Sequence, residues 1–155
     1  MGFLAWLEAS GFSEWVRVSY VGYPLMIASH AVGMAVMVGL ALAIDMRLLG
    51  WFAGIPRQAF DRFFTLAWIG FAVNFLSGSG LFAARATTYI TDGTFLLKMA
   101  FVLGGVITAA LLQGAIKRSP DWPSATAPAG VRIVAVASIV CWVFATITGR
   151  LIAYL

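Results

Sequence analysis

The polar residues of this chain fall in a few short clusters, and between them the sequence is almost continuously apolar. Apolar runs extend over about Val18 to Ile44, Phe63 to Ala84, Phe95 to Ile116 and Val131 to Ala153. Each meets or exceeds the roughly 20 residues an α-helix needs to cross the hydrocarbon core of a bilayer. The interruptions carry turn chemistry: Gly54, Pro56, Arg57, Asp61 and Arg62 follow the first run, and Tyr89, Asp92 and Gly93 lie between the second and third. Pro120, Trp122, Pro123 and Pro128 precede the fourth. Lipid offers no partner to a free backbone N–H, so helices are the expected conformation. Alternation suited to a β-barrel is absent. The pattern predicts an all-α integral membrane four-helix bundle, with residues 1–155 forming a single transmembrane domain. Phe3 to Trp15 is expected as a short N-terminal interfacial helix, with Trp6 and Trp15 at headgroup level. Glu8 and Glu14 interrupt that stretch early and no basic segment precedes it, so a cleavable signal is not expected.

Composition agrees with the pattern. Of 155 residues, 62% are hydrophobic and 10% charged, and the mean hydropathy is +0.96. A soluble domain carries roughly 25% charged residues, and a globule this small cannot hide so much apolar surface. The lipid bilayer is therefore the expected partner. The net charge of +4 comes from scattered residues and forms no basic stripe, so no nucleic-acid partner is expected. Arg47, Arg57, Arg62, Lys117, Arg118 and Arg132 fall on one side of the spans, while Arg17, Arg85, Lys98 and Arg150 fall toward the other. The positive-inside rule then places both termini in the periplasm, across a bacterial cytoplasmic (inner) membrane. A lone cysteine, Cys141, in an apolar run reads as a core residue.

His30 is the sole histidine and lies near the middle of the first run, roughly 18 Å from its start at 1.5 Å per residue. Ionisable groups at such depth are costly and face the bundle interior, which makes them functional candidates. A neutral imidazole ligates haem iron and copper, and it also serves as polar glue between helices. At 100° per residue Gly22, Met26, His30, Gly33 and Met37 share a stripe, with Met34 at its margin. Thioether and imidazole suit Cu(I), so Met26, His30, Met34 and Met37 form an alternative copper set. In the second run Asn74 lies near the depth of His30, within expected hydrogen-bonding reach. Lys98 and Arg150 sit about one turn inside their runs, on the same side as Arg85. Each suits snorkelling to the interface. Together, above His30, they also suit a ligand with an apolar body and anionic ends. Haem b fits, with iron on His30 and propionates on Arg85, Lys98 or Arg150; Met99 is a candidate second iron ligand. Asp45 and Arg47 read as a charge pair at the end of the first span. No phosphate loop, His-Glu-Xaa-Xaa-His, Cys-Xaa-Xaa-Cys or intramembrane carboxylate pair is present, which disfavours a metal hydrolase, an ATPase or a carboxylate-driven pump.

Ser29-His30, Asp45-Met46-Arg47-Leu48-Leu49-Gly50, Phe95-Leu96-Leu97-Lys98 and Gly149-Arg150-Leu151-Ile152-Ala153-Tyr154 carry a resemblance over nearly the whole chain. They resemble a family of small four-helix bacterial membrane proteins of unassigned activity, with a histidine in the first span. More distantly, the chain is similar to the four-helix haem-b protoporphyrinogen oxidase and the copper-resistance membrane domain. That likeness implies haem b at the positions of His30 and Lys98. The oxidase type carries further histidines after the lysine, where this chain has Met99 to Leu112 without one. Three readings follow: a b-type haem protein for electron transfer or porphyrin chemistry, a non-catalytic membrane subunit or scaffold, and a copper-handling protein. Whether copies pair as a homodimer or join a larger membrane complex is open, since Gly33 and Gly104-Gly105 suit helix contact within or between chains.

Overall fold

In hydrocarbon every backbone polar group must be satisfied within its own segment, and each long apolar run is helical throughout. The computed structural model describes residues 2–118, 127–152 and Tyr154. Among these, seven helices follow in order: α1 (Gly2–Glu8), α2 (Gly11–Val18), α3 (Gly22–Leu48), α4 (Ala59–Ala84), α5 (Ala86–Tyr89), α6 (Gly93–Arg118) and α7 (Ala129–Leu151). The four long helices α3, α4, α6 and α7 are each long and apolar enough to cross a membrane. Their outward faces carry exposed large apolar side chains such as Val32, Leu76, Leu103 and Ile133, which in lipid is the favourable arrangement. The protein is an all-α membrane bundle with short N-terminal helices. The loop expected over Ser119 to Gly130 lies mostly outside the described residues.

The bundle is built from two tight helix pairs. α3 packs most extensively on α4 and α6 on α7, and contact of α3 with α7 joins the pairs. Glycine makes the first pairing close. A Cβ on Gly33 would stand 2.6 Å from Asn74 N and 2.8 Å from Gly70 O, and one on Gly70 would stand 3.0 Å from Gly33 O. The two backbones touch there, which only a residue without a side chain permits. In the second pair a Cβ on Gly105 would stand 2.7 Å from the Trp142 indole, so Gly105 is the seat for a large ring. Across the pairs, Trp68 Nε1 donates to Gln113 Oε1 at 3.1 Å, linking α4 to α6.

The apolar core is concentrated toward the C-terminal end of α3. Ile44, Leu48, Phe60, Phe64, Leu112, Ala127 and Ala135 form one buried cluster, and Met37, Ala41 and Trp142 form a second. The Ala127 N–H donates to Leu48 O at 3.1 Å, bringing the segment before α7 onto the end of α3. That end lies beyond where the sequence pattern places it. The first polar residue, Asp45, does not stop the helix, because its side chain turns inward and the next turn still buries Leu48.

The N-terminal segment forms two helices rather than one. Ser10 has extended dihedrals and its side chain accepts from the Ser13 N–H at 3.3 Å, capping α2 and ending α1. This segment is latched to the end of α4. Ser13 Oγ donates to Ala83 O at 3.1 Å, and Arg17 Nη1 donates to Ala84 O at 3.2 Å. Those carbonyls belong to the last turn of α4 and lack intrahelical donors.

Candidate functional site

His30 lies eight residues into α3, so its estimated depth is about 12 Å from the start of the helix, shallower than the apolar run suggests, because α3 begins at Gly22 rather than Val18. Its ring is set against α4. Nδ1 is 2.9 Å from Asn74 O; a carbonyl only accepts, so Nδ1 carries the hydrogen and Nε2 the lone pair. In return Asn74 Nδ2 donates to His30 O at 2.8 Å. The two residues exchange hydrogen bonds across the helix pair, each using one side-chain group and one main-chain carbonyl. Ser77 Oγ lies 3.4 Å from Nδ1 and donates to Val73 O at 2.6 Å. Gly78 makes room for the ring, since a Cβ there would stand 2.9 Å from His30 Cε1.

The cations expected above His30 are placed differently from one another. Lys98, half-buried, lays its stem along α7: a Cβ on Gly149 would stand 3.3 Å from Lys98 Cε. Its ammonium is within electrostatic range of His30. Arg150 is exposed and turns to Tyr154, donating from Nη2 to the phenol oxygen at 3.1 Å with its guanidinium 5.3 Å from the ring centroid. Arg85, also exposed, ends α4 and stands near Glu8. The Glu8 carboxylate accepts from Thr87 Oγ1 at 2.6 Å and from Thr87 N at 3.0 Å. The hydroxyl bond first, then the amide bond, hold this acid below the usual Glu value of 4.5, and the charges of Arg17 and Arg85 act in the same direction. The structure therefore bonds His30 to Asn74, keeps Lys98 within electrostatic range of the ring, turns Arg150 to Tyr154 and leaves Arg85 exposed at the end of α4.

The methionines of the α3 stripe pack as core. Met26 places its sulfur 3.0 Å from where a Gly80 Cβ would be, next to Phe12. Met37 is buried with Trp142, and Met34 is half-buried. Met99, on α6, is exposed.

The cofactor expectations are corrected by the donor set. Among the described residues no group of three or more His, Cys, Asp or Glu side chains stands together to hold a metal ion. Neither haem b on His30 with Lys98, Arg150, Arg85 and Asn74 around it, nor copper on Met26, His30, Met34 and Met37, is supported. The physical reason is local. No second ligand joins His30, because the sulfurs of Met26 and Met37 are taken up in packing, and Arg150 turns to Tyr154.

Asp45 is the residue that the sequence pattern places least well. It is 1% exposed and faces Ser138 of α7, while Arg47 Nε donates to Ile55 O at 3.0 Å. The signal was the helical register: Met37, Ala41, Ile44, Asp45 and Leu48 recur at spacings of three and four, which places Asp45 on the buried face.

Fold and site together define a small membrane bundle whose one histidine ties two helices together. The chain belongs to the family of unknown function DUF6644, which matches residues 3–155. No curated protein and no solved structure matches it.

Proposed function

We propose that this protein is a non-catalytic membrane subunit or scaffold, in which His30 and Asn74 serve as an interhelical lock. The observation that carries this reading is the reciprocal bonding of the two residues at 2.9 and 2.8 Å. A polar side chain in hydrocarbon needs a partner, and helix-to-helix hydrogen bonds supply it at modest net gain, about 0.6 to 1.7 kcal/mol each. Gly33 and Gly70 bring the backbones near enough for those bonds to form. The outward apolar faces fit a lipid surround, or further copies or partners within the membrane as a homodimer or a larger complex.

The protein sits in a bacterial cytoplasmic membrane with both termini in the periplasm. Supporting this is the gathering of Arg47, Arg57, Arg62, Lys117, Arg118 and Arg132 around the end where α3 stops, α4 starts, α6 stops and α7 starts. A C-terminal fusion to a reporter active only in the periplasm checks the orientation and is expected to be active; a reporter active only in the cytoplasm is expected to be silent there.

The test of the structural role is purification in mild detergent of the wild type and of His30→Asn, whose side-chain amide can still donate toward Asn74 O. Both are expected to be folded, and both to retain the oligomeric mass of the wild type. A stoichiometric chromophore or metal in the wild type that disappears in His30→Asn overturns the reading.

A further inference from the structure

Lys98 Nζ and His30 Nε2 are two polar atoms inside apolar spans that the bonding between α3 and α4 does not use. Lys98 is the sixth residue of α6, about 8 Å from its start at 1.5 Å per residue. Its stem lies against α7, with Nζ 3.6 Å from where a Gly149 Cβ would be. The ammonium has no hydrogen-bond acceptor among the described residues. His30 gives its Nδ1 hydrogen to Asn74 O, which leaves a lone pair on Nε2. Neither atom is sealed in. Among the described residues, the fully buried side-chain polar atoms without a partner are Asp45 Oδ2, Ser138 Oγ and Trp142 Nε1. Lys98 Nζ and His30 Nε2 can therefore meet a group from outside the chain.

Aromatic contacts set the two residues at one level. The rings of Phe82 on α4 and Phe95 on α6 stack with centroids 5.5 Å apart, and Tyr89 of α5 lies 6.5 and 5.4 Å from them. Gly78, whose notch holds the imidazole, is one turn deeper than Phe82, and Lys98 is one turn deeper than Phe95. Ring and ammonium thus lie beneath the same aromatic stack, within electrostatic range of each other. The extensive helix contacts are α3 with α4, α6 with α7 and α3 with α7, so α4 and α6 form the loosely joined side of the bundle. Both buried apolar clusters lie toward its other end.

The chemistry of the two atoms narrows the ligand. A charge at hydrocarbon depth is stable only with a partner. Snorkelling would serve a lysine whose stem ran outward along its own helix, but this stem crosses to Gly149 of α7. An ammonium only donates, and the Nε2 lone pair only accepts. The matching group carries an anionic oxygen beside a hydroxyl. A phosphodiester headgroup with a free alcohol meets both demands, and its acyl chains suit the apolar side between α4 and α6.

We propose that Lys98 and His30 form a binding site for one anionic lipid whose headgroup is a phosphodiester bearing a hydroxyl. The phosphate accepts from Lys98 Nζ, the hydroxyl donates to His30 Nε2, and the acyl chains lie along the α4–α6 side. No covalent bond is made or broken. The site uses only the ring edge that Asn74 leaves free, so it stands whether or not the Asn74 bond stabilises the bundle.

The test is native mass spectrometry of the full-length protein in detergent, titrated with phosphatidylglycerol, phosphatidylmethanol or phosphatidylcholine. Phosphatidylmethanol carries the same charge without the hydroxyl, and phosphatidylcholine carries no net charge. The wild type is expected to hold one phosphatidylglycerol about tenfold more tightly than phosphatidylcholine, as a charge-assisted bond allows. It is expected to hold it about threefold more tightly than phosphatidylmethanol, as a neutral hydrogen bond allows. Lys98→Gln, which keeps the stem over Gly149, should abolish the first preference, and Lys98→Arg should keep it. Lys117→Gln, at an exposed cation near the far end of α6, should keep it also. His30→Asn, whose shorter side chain has no atom at the Nε2 position, should abolish the second preference alone. Inorganic phosphate in large excess should leave the lipid bound; displacement would assign the site to soluble anions and overturn the lipid. Equal affinity of the wild type for all three lipids, or a charge preference unchanged in Lys98→Gln, overturns the proposal. The wild-type comparison needs no variant, so misfolding of a variant would not shield the proposal.

Discussion

His30 and Asp45 lie on one helix, about 22 Å apart along its axis at 1.5 Å per residue, and their surroundings are opposite. Around His30 the hydrogen bonds are direct and reciprocal, made to Asn74 on a helix whose backbone touches that of α3 at Gly33. Around Asp45 the neighbouring helix is α7, the polar groups are Ser138 and Trp142, and none of the three is directly bonded at its buried atom. Backbone proximity makes the difference. Where glycine lets two helices meet, a short polar side chain reaches the opposing carbonyl. Where Trp142 packs between helices, the buried polar atoms of Asp45 and Ser138 have no hydrogen-bond partner. The histidine, chemically the more suggestive residue, is bonded across the helix pair at Nδ1, whereas the buried Oδ2 of the acid at the foot of the span has no hydrogen-bond partner.

The strongest way to break this contrast is to force α3 from α4. Gly33→Leu puts a side chain into the backbone of Asn74 and Gly70, and a loss of about 3 kcal/mol is expected in detergent unfolding. A loss below about 1 kcal/mol would mean that the helices do not touch there. Gly78→Val, which displaces the imidazole alone, is expected to cost about 2 kcal/mol. Gly39→Ala, with nothing within 4 Å, is the control and is expected to be neutral or slightly stabilising. At the other site Asp45→Asn breaks no direct bond at Oδ2, so thermal unfolding should shift by less than about 1 kcal/mol. A larger loss would place Asp45 in the same structural class as His30.

The smallest effect belongs to the N-terminal latch. Glu8 has its value lowered on folding, chiefly by the Thr87 hydroxyl. Its contribution is therefore full above the ordinary Glu value of 4.5 and is lost as the pH falls through the lower folded value. Faster amide exchange at Thr87 is expected on acidification below that point. Glu8→Gln should remove this dependence while leaving the bundle intact. Exchange that stays pH-independent after correction for its intrinsic rate would show that the latch is held by Ser13 and Arg17 alone.

Much of the fold could be read in advance, because lipid imposes helices on apolar runs whatever their detailed sequence. Details that depend on a partner surface could not. Ser10 divides the N-terminal helix because its side chain caps α2, and Asp45 continues α3 because α7 offers it a buried polar neighbour. The site was legible in part. His30 and Asn74 share a depth, and the structure bonds them. The cation cluster was inferred from level alone, but level does not fix direction: Arg150 turns to Tyr154, and Arg85 is exposed at the end of α4. The soft-ligand stripe failed for a related reason. Spacing puts Met26 and Met37 on the face of His30, yet that face meets Gly80 and Trp142, and the sulfurs are consumed in packing.

The interhelical lock is most directly tested by a double-mutant cycle in detergent unfolding with His30→Ala, Asn74→Ala and the pair. A coupling energy of about 1 kcal/mol is predicted, within the range of membrane hydrogen bonds. Strictly additive losses, agreeing within about 0.3 kcal/mol, would contradict it and leave the histidine without its structural role.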